Sequence, residues 1–309
     1  MRIVFMGTPD FAIPCLERLL QAGHEVVGVY CRPDKEIGRG RRLEAPPIKR
    51  FAAERELPVF QPVSLRREEA QAELADLAPD VVVVAAYGVL LPKAVLETPP
   101  LGCLNVHPSL LPRHRGPAPV VTAILEGEGV TGVTIMLLDE GMDTGPLLAQ
   151  RREAVRADDT APGLTRRLFV QGAELLVETL PRWVAGGIEA VPQDEALVTT
   201  TRRITKEDGV LDWSAGAEDL CRRVRGYEPW PGTYTFWQGK QLKVLAARPG
   251  KEQASVPRGT VVRANDGAAV VTGEGLFILD QVQLEGRRSA TIREFLQGHP
   301  TFVGGQLPS

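Results

Sequence analysis

The chain has 309 residues, 43% of them apolar and 24% charged, with 36 basic against 39 acidic residues and a net charge of −3. This is the composition of a soluble globular protein of one large or two ordinary domains, long enough to bury a core without disulfide or metal staples. It excludes nucleic-acid binding driven by whole-chain charge, and the longest apolar run, Val81 to Tyr87, falls far short of the roughly 20 residues that span a bilayer.

In chain order, Ile3 to Met6 reads as a strand, followed by Gly7-Thr8-Pro9-Asp10. Asp10 is placed to cap a helix carrying Ile13, Leu16, Leu19 and Leu20, with Pro14 in its first turn and Gly23 at its end. Val26 to Tyr30 gives a second strand, Pro46-Pro47 opens a helix to about Glu56, and Val59-Phe60 gives a third strand. A helix over 66–77 precedes Val81 to Val84, an unbroken apolar run that suits a strand covered on both faces, as in a parallel sheet. Leu101 to Val106 and Val133 to Leu138 repeat the strand signal with a helix at about 118–126 between them, and a long helical pattern covers about 163–185. Alternating strands and helices predict an α/β, doubly wound, mainly parallel sheet of Rossmann-like type.

Beyond residue 204 the pattern changes. A helix near 216–225 precedes short strands at Tyr234–Trp237, Leu242–Ala246, Thr260–Ala264, Ala268–Thr272 and Leu276–Leu279, separated by turns such as Asn265-Asp266-Gly267. These predict a small OB-like β-barrel, with domains at 1–204 and 205–309. Cys15, Cys31, Cys103 and Cys221 are far apart, which predicts buried thiols in a reducing cytoplasm and neither a disulfide framework nor a metal site. The opening residues lack the apolar region of a secretory leader. No heptad pattern appears, so a monomer is expected.

Two stretches carry chemistry. The strand ending at Val106 delivers Asn105 and His107, on one side of the strand because side chains alternate. The strand ending at Leu138 delivers Asp139 to Gly145, including Asp143. Ligands in open α/β sheets sit beyond the carboxyl ends of strands, so both ends are expected to meet at one edge. An Asn amide can donate to the oxyanion of an acyl-transfer intermediate, a His can polarise the carbonyl or protonate a leaving nitrogen, and an Asp can orient the His or relay a proton. No Ser or Cys nucleophile is needed if an amine attacks directly. Turn-capping roles for the same residues fit the spacing equally well. Yet the chain holds only two asparagines, Asn105 and Asn265, which favours function for Asn105. Ser109 with His107 and Asp143 makes a poor hydrolase triad, since no Gly-x-Ser-x-Gly elbow is present. Arg32 to Arg42 holds Arg32, Lys35, Arg39, Arg41 and Arg42, either a solvated loop or one that orders on RNA phosphates.

Met6 to Ala12, Gly38 to Leu43, Asn105 to Pro119 and Gly132 to Gly145 together resemble the methionyl-tRNA formyltransferase family, and Asp212-Trp213 and Pro229-Trp230-Pro231-Gly232 fit it too. The resemblance runs over essentially the whole chain, and Asn-Val-His-Pro-Ser-Leu-Leu-Pro-Arg is specific for folate-dependent formyltransferases. It implies formyl transfer from 10-formyltetrahydrofolate to the amine of initiator methionyl-tRNA in the cytoplasm, with no metal. It further implies that Asn105, His107 and Asp143 are catalytic. Ser109, Leu110, Leu111 and Pro112 match the folate-binding segment, and Val89 and Leu90 match a pterin-pocket wall. Arg39, Arg41 and Arg42 belong to the loop that grips the acceptor arm, and the C-terminal barrel resembles a tRNA-docking domain. A nucleotide-amino-sugar formyltransferase shares the catalytic stretch but lacks the basic loop. A catalytically silent RNA-binding protein would keep that loop, and the intact catalytic positions oppose it.

Overall fold

The computed structural model describes residues 1–37, 42–252, 254–265 and 267–308. They form two compact units, one comprising Met1–Pro119, Val130–Ala154 and Thr165–Thr201, the other Val120–Gly129, Val155–Leu164 and Arg202–Ser309.

Through the first part of the chain the elements are β1 (Arg2–Gly7), α1 (Ile13–Gln21), β2 (Glu25–Tyr30), β3 (Lys35–Ile37), β4 (Arg42–Glu44), α2 (Pro47–Ala53), β5 (Val59–Phe60), α3 (Glu68–Asp76), β6 (Val81–Ala85), α4 (Lys93–Leu96), β7 (Cys103–His107), α5 (Pro119–Leu125), β8 (Val130–Leu137), β9 (Leu147–Ala154) and α6 (Ala161–Val184). Seven strands form one sheet in the order β5-β2-β1-β6-β7-β8-β9. β5, β2, β1, β6 and β7 are mutually parallel, whereas β8 and β9 run antiparallel to their neighbours. The valine run is buried on both faces: Val81 and Val83 enter one apolar cluster, Val82 and Val84 another. That is the physical meaning of a strand without alternation.

The sequence reading needs three corrections in this unit. Asp10 does not cap α1. It opens a 3-10 turn over Asp10–Ala12, and its carboxylate accepts instead from Arg166 Nη2 at 3.1 Å. β8 does not end at the same edge as β7, because the two are antiparallel, with Leu104 opposite Leu137 and His107 opposite Thr134. Finally, β9 and the β3–β4 hairpin escaped notice, since Leu147–Ala154 has a polar outer face and the hairpin is only three residues a side.

The second unit contains α7 (Ala217–Gly226), β10 (Thr233–Trp237), β11 (Lys240–Gly250), β12 (Val261–Ala264), β13 (Gly267–Val271), β14 (Leu276–Leu284), β15 (Ala290–Thr291) and α8 (Ile292–Gly298). Its strands make a small antiparallel sheet, β10-β11-β14-β13-β12 with β15 on β14. Trp213, Leu220, Leu242, Phe277 and Phe302 lie in its core. β11 extends past Ala246 because its register against β14 shifts at Ala246 and pairing then resumes through Ala247 to Gly250. α8 is fixed by a capping box between Thr291 and Glu294. All four cysteines are buried, and burial pushes the Cys15 and Cys103 thiols up to about 12, where they are inert. No described helix is long and apolar enough to cross a membrane.

Candidate active site

β7 is the strand from which the site is built. It lies between β6 and β8, so its backbone is hydrogen-bonded on both sides, with Asn105 paired to Val84 and to Met136. A strand held this way fixes the direction of its side chains. Asn105 is 9% exposed, and among the described residues none hydrogen-bonds its side-chain amide. Its amide is left free of other side chains and backbone among the described residues, so it can donate to a ligand at the strand end.

His107, two residues on, is 4% exposed. Its Nε2 lies 3.1 Å from the His114 carbonyl oxygen. A carbonyl only accepts, so Nε2 carries the hydrogen, and Nδ1 is the nitrogen left for chemistry. Nδ1 faces Asp143 Oδ1 at 3.6 Å, just beyond hydrogen-bond distance, so a small closing movement brings the two within reach of a shared proton. Burial holds the imidazole below its ordinary range, while the Asp143 charge and the His114 carbonyl pull the other way. The ring is therefore neutral at pH 7, with a carboxylate placed to stabilise its charged form.

The loop after β8 returns Asp143 to the His107 ring from the opposite end of the neighbouring strand. It does so with Asp143 at φ +56°, and His114, which orients the ring, sits at φ +60°. Left-handed backbone is uncommon for residues other than glycine and occurs where surrounding structure enforces it. Asp143 Oδ2 accepts from the Gly116 backbone N–H at 2.8 Å, and His114 N donates to Thr199 Oγ1 at 2.8 Å. Gly145 closes the turn so tightly that a Cβ there would fall 2.0 Å from the Leu137 carbonyl oxygen, and backbone cannot step aside. Gly145→Ala is expected to destabilise the first unit by about 1–3 kcal/mol, the usual overpacking range, as read from the urea midpoint.

The segment after β7 is held from within. Ser109 is fully buried, donating to the Arg113 carbonyl at 2.7 Å, and Leu111 is 3% exposed. Thr134 ties the segment to β8, donating to the Ser109 carbonyl and accepting from Leu111 N. Leu110 packs over Gly132, where no side chain intervenes. Leu110 and Pro112 are partly exposed, as is Val89, while Leu90 is 57% exposed. Val89 and Leu90 follow β6, the parallel neighbour of β7, so the topology brings them to the edge reached by His107.

Arg42 is exposed on β4, paired to Ile37 of β3, and Arg39 and Arg41 lie outside the described residues. The hairpin is anchored at its base. Lys49 Nζ donates to both Asp34 oxygens and to Gln61, and Gln61 Nε2 donates to the Arg32 carbonyl, all within 2.9 Å. Lys49 and Gln61 hold the Asp34 carboxyl below the usual carboxylate range.

The formyl transferase family model matches residues 1–180, and the model of its C-terminal domain matches residues 203–300. A methionyl-tRNA formyltransferase of Roseiflexus sp. strain RS-1 is 49% identical over 309 residues, spanning 99% of this chain and 95% of the relative. The chain belongs to the methionyl-tRNA formyltransferase family. A second methionyl-tRNA formyltransferase, from Chloroflexus aurantiacus, is 49% identical over 300 residues, 96% of this chain and 97% of the relative. An N-formyltransferase from Helicobacter canadensis, solved with folinic acid and dTDP-3-aminofucose, superposes with a TM-score of 0.66 over 90% of this chain and 97% of its own, at 17% identity. At that identity it shows a shared fold alone. As a methionyl-tRNA formyltransferase family member the chain is an enzyme.

Three residues at this site were invisible as such in the sequence: His114, through its carbonyl, Gly116, through its N–H, and Gln193, whose amide reaches the Asp143 turn. The first two act through backbone, which leaves no side-chain signature. The third lies 50 residues from its partner.

Proposed function

We propose that this enzyme transfers a formyl group from 10-formyltetrahydrofolate to the free amine of initiator methionyl-tRNA. The observation that carries the reading is the unpartnered Asn105 amide beside the His107–Asp143 pair at 3.6 Å. The residues fit the folate: exposed Leu90 and partly exposed Val89 offer apolar surface for a flat heteroaromatic ring, and the partly exposed Leu110 and Pro112 follow β7 on the same sheet edge. Bound there, the folate supplies the electrophilic formyl carbon.

The amine attacks as its neutral form, so no side-chain nucleophile takes part. Asn105 Nδ2 donates to the formyl oxygen as negative charge gathers on it. Asp143 accepts the proton given up by the attacking nitrogen, directly or through a water that carries it. His107 Nδ1, once it shares that proton, donates to the same oxygen, and the pair returns a proton to the leaving nitrogen. One N–C bond forms, one breaks, and a single proton passes from the attacking to the leaving nitrogen. Ser109 and Leu111, buried, hold the folate-binding segment in shape. On this reading, residues 1–204 are the catalytic domain and 205–309 a tRNA-docking domain, in a cytoplasmic monomer that needs no metal.

Arg39, Arg41 and Arg42 supply phosphate contacts; of these Arg42 stands on the β3–β4 hairpin, whose base is set by Lys49, Asp34 and Gln61. Each such contact contributes to the salt dependence of binding, so Arg42→Ala is expected to weaken initiator-tRNA binding and reduce the slope of log K against log salt by about one. Titrations at several salt concentrations check this, and an unchanged slope would remove Arg42 from the interface. The deciding assay offers the purified protein 10-formyltetrahydrofolate with initiator methionyl-tRNA, elongator methionyl-tRNA and an amino-sugar nucleotide in parallel. Fast transfer to the initiator alone is the expected result. Transfer to the sugar would keep the catalytic trio and overturn the role of the basic loop.

A further inference from the structure

We propose that Gln193 is a positioning residue for formyl transfer, the central tie of a strap over residues 191–201 that holds the Asp143 turn against the His114–Gly116 turn. The inference rests on the reading of His107 and Asp143 as the reacting pair.

The strap is the last stretch of the first unit before the chain passes to the second at Arg202. Burial does not set its place, for Val191 is 56% and Leu197 60% exposed. Polar contacts do, running to the two loops that carry the site and to Leu147 at the start of β9. Val191 exchanges backbone hydrogen bonds with Leu147, at 2.8 and 2.9 Å. Thr199 accepts from His114 N through its hydroxyl and from Arg115 N through its carbonyl. Thr201 N donates to the Arg115 carbonyl at 2.7 Å, and its hydroxyl accepts from Ala118 N at 3.1 Å.

Gln193 joins the two loops with one side chain. Its Nε2 donates to the carbonyls of Asp143 and Gly145, each at 2.8 Å, and its Oε1 accepts from Arg115 Nε at 3.0 Å. The amide has one workable orientation, since turning it over would set its NH₂ against a guanidinium and its oxygen against two carbonyls. Arg115 is 7% exposed at its side chain and also reaches Glu195 at 2.8 Å, so the far end of the tie is a nearly buried cation that needs both partners. The near end is the turn in which Asp143 adopts φ +56°. Asp139 Oδ1 braces the turn through Gly141 N and Thr144 Oγ1, while Gln193 holds the carbonyls of Asp143 and Gly145; without those two bonds the Asp143 peptide is released to relax out of the left-handed region. The carboxylate would then leave Nδ1 of His107.

The test uses the full-length chain with Gln193→Ala and Gln193→Glu. The glutamate keeps an acceptor for Arg115 but presents oxygen, not N–H, to the Asp143 and Gly145 carbonyls, so its kcat stays informative if the alanine variant fails to fold; because its own negative charge favours protonated His107, the ring titration is read in the alanine variant. For both we expect kcat to fall by about tenfold to a hundredfold, the cost of misplacing a reacting group by roughly an ångström. KM for either substrate should stay near wild type, and the melting temperature should fall in the alanine variant, where Arg115 loses a partner. In Gln193→Ala, which adds no charge, His107 followed by NMR titration of its ring should move to lower pKa as the Asp143 carboxylate recedes. Wild-type kcat with an unmoved His107 titration would overturn the proposal. So would a loss of kcat that tracks lost stability while His107 titrates as in wild type. If wild type itself formylates no acceptor, the functional reading fails, and the His107 titration in Gln193→Ala still decides whether the tie positions Asp143.

Discussion

Asn105→Ala is expected to lower kcat by about 10²–10³, the range seen when one oxyanion donor is removed, equivalent to about 2.7–4 kcal/mol of transition-state stabilisation. The fold should survive. Asn105 has no protein partner among the described residues, so truncation strands no donor or acceptor, and its backbone pairing to Val84 and Met136 does not involve the side chain. An interaction made only as charge builds on the formyl oxygen should reduce kcat and kcat/KM equally, leaving KM for folate and tRNA near wild type. Single-turnover transfer measured beside a thermal melt separates this from unfolding. A folded variant with near-wild-type turnover would take Asn105 out of the mechanism.

Much of this site could be read from the sequence, for reasons that are local. The valine run at 81–84 announced a strand covered on both faces, and it lies between β1 and β7 with its side chains divided between two apolar clusters. The two-residue spacing of Asn105 and His107 placed them on one side of β7. What failed was direction. Val133 to Leu138 has the same apolar pattern whichever way it runs, so nothing local distinguished a parallel β8 from the antiparallel one, and the route of Asp143 to His107 could not be foreseen. Backbone roles were equally hidden. His114 is written as an imidazole, yet it orients His107 with its carbonyl, through a φ of +60° that no residue type announces. The basic loop read as charge alone, whereas its base is a hairpin fixed by Lys49, Asp34 and Gln61, residues separated by up to 27 positions.

Asp143→Asn tests the proton path with the least structural disturbance available. Asparagine tolerates left-handed backbone as well as aspartate does, so the φ of +56° persists, and its Oδ1 can still accept from Gly116 N. What is lost is a negative charge 3.6 Å from His107 Nδ1. If Asp143 takes the amine's proton, kcat should fall by about 10²–10⁴, the usual contribution of general acid–base catalysis. The pH dependence has a definite sign. Burial lowers the His107 pKa and the Asp143 charge partly restores it, so the variant lowers it further. The folded chain then holds His107 neutral where the unfolded chain takes up a proton, near pH 6.5. Above that pH neither state binds the proton and the group contributes no pH dependence. Below it the unfolded state gains protons that the fold refuses, and stability falls as pH falls toward the folded pKa. Asp143→Asn should carry that acid loss of stability to lower pH, and NMR titration of the ring should place the His107 pKa below its wild-type position. An unmoved ring titration would mean that the Asp143 charge does not reach the imidazole, and the proton would have to leave the attacking amine by another route.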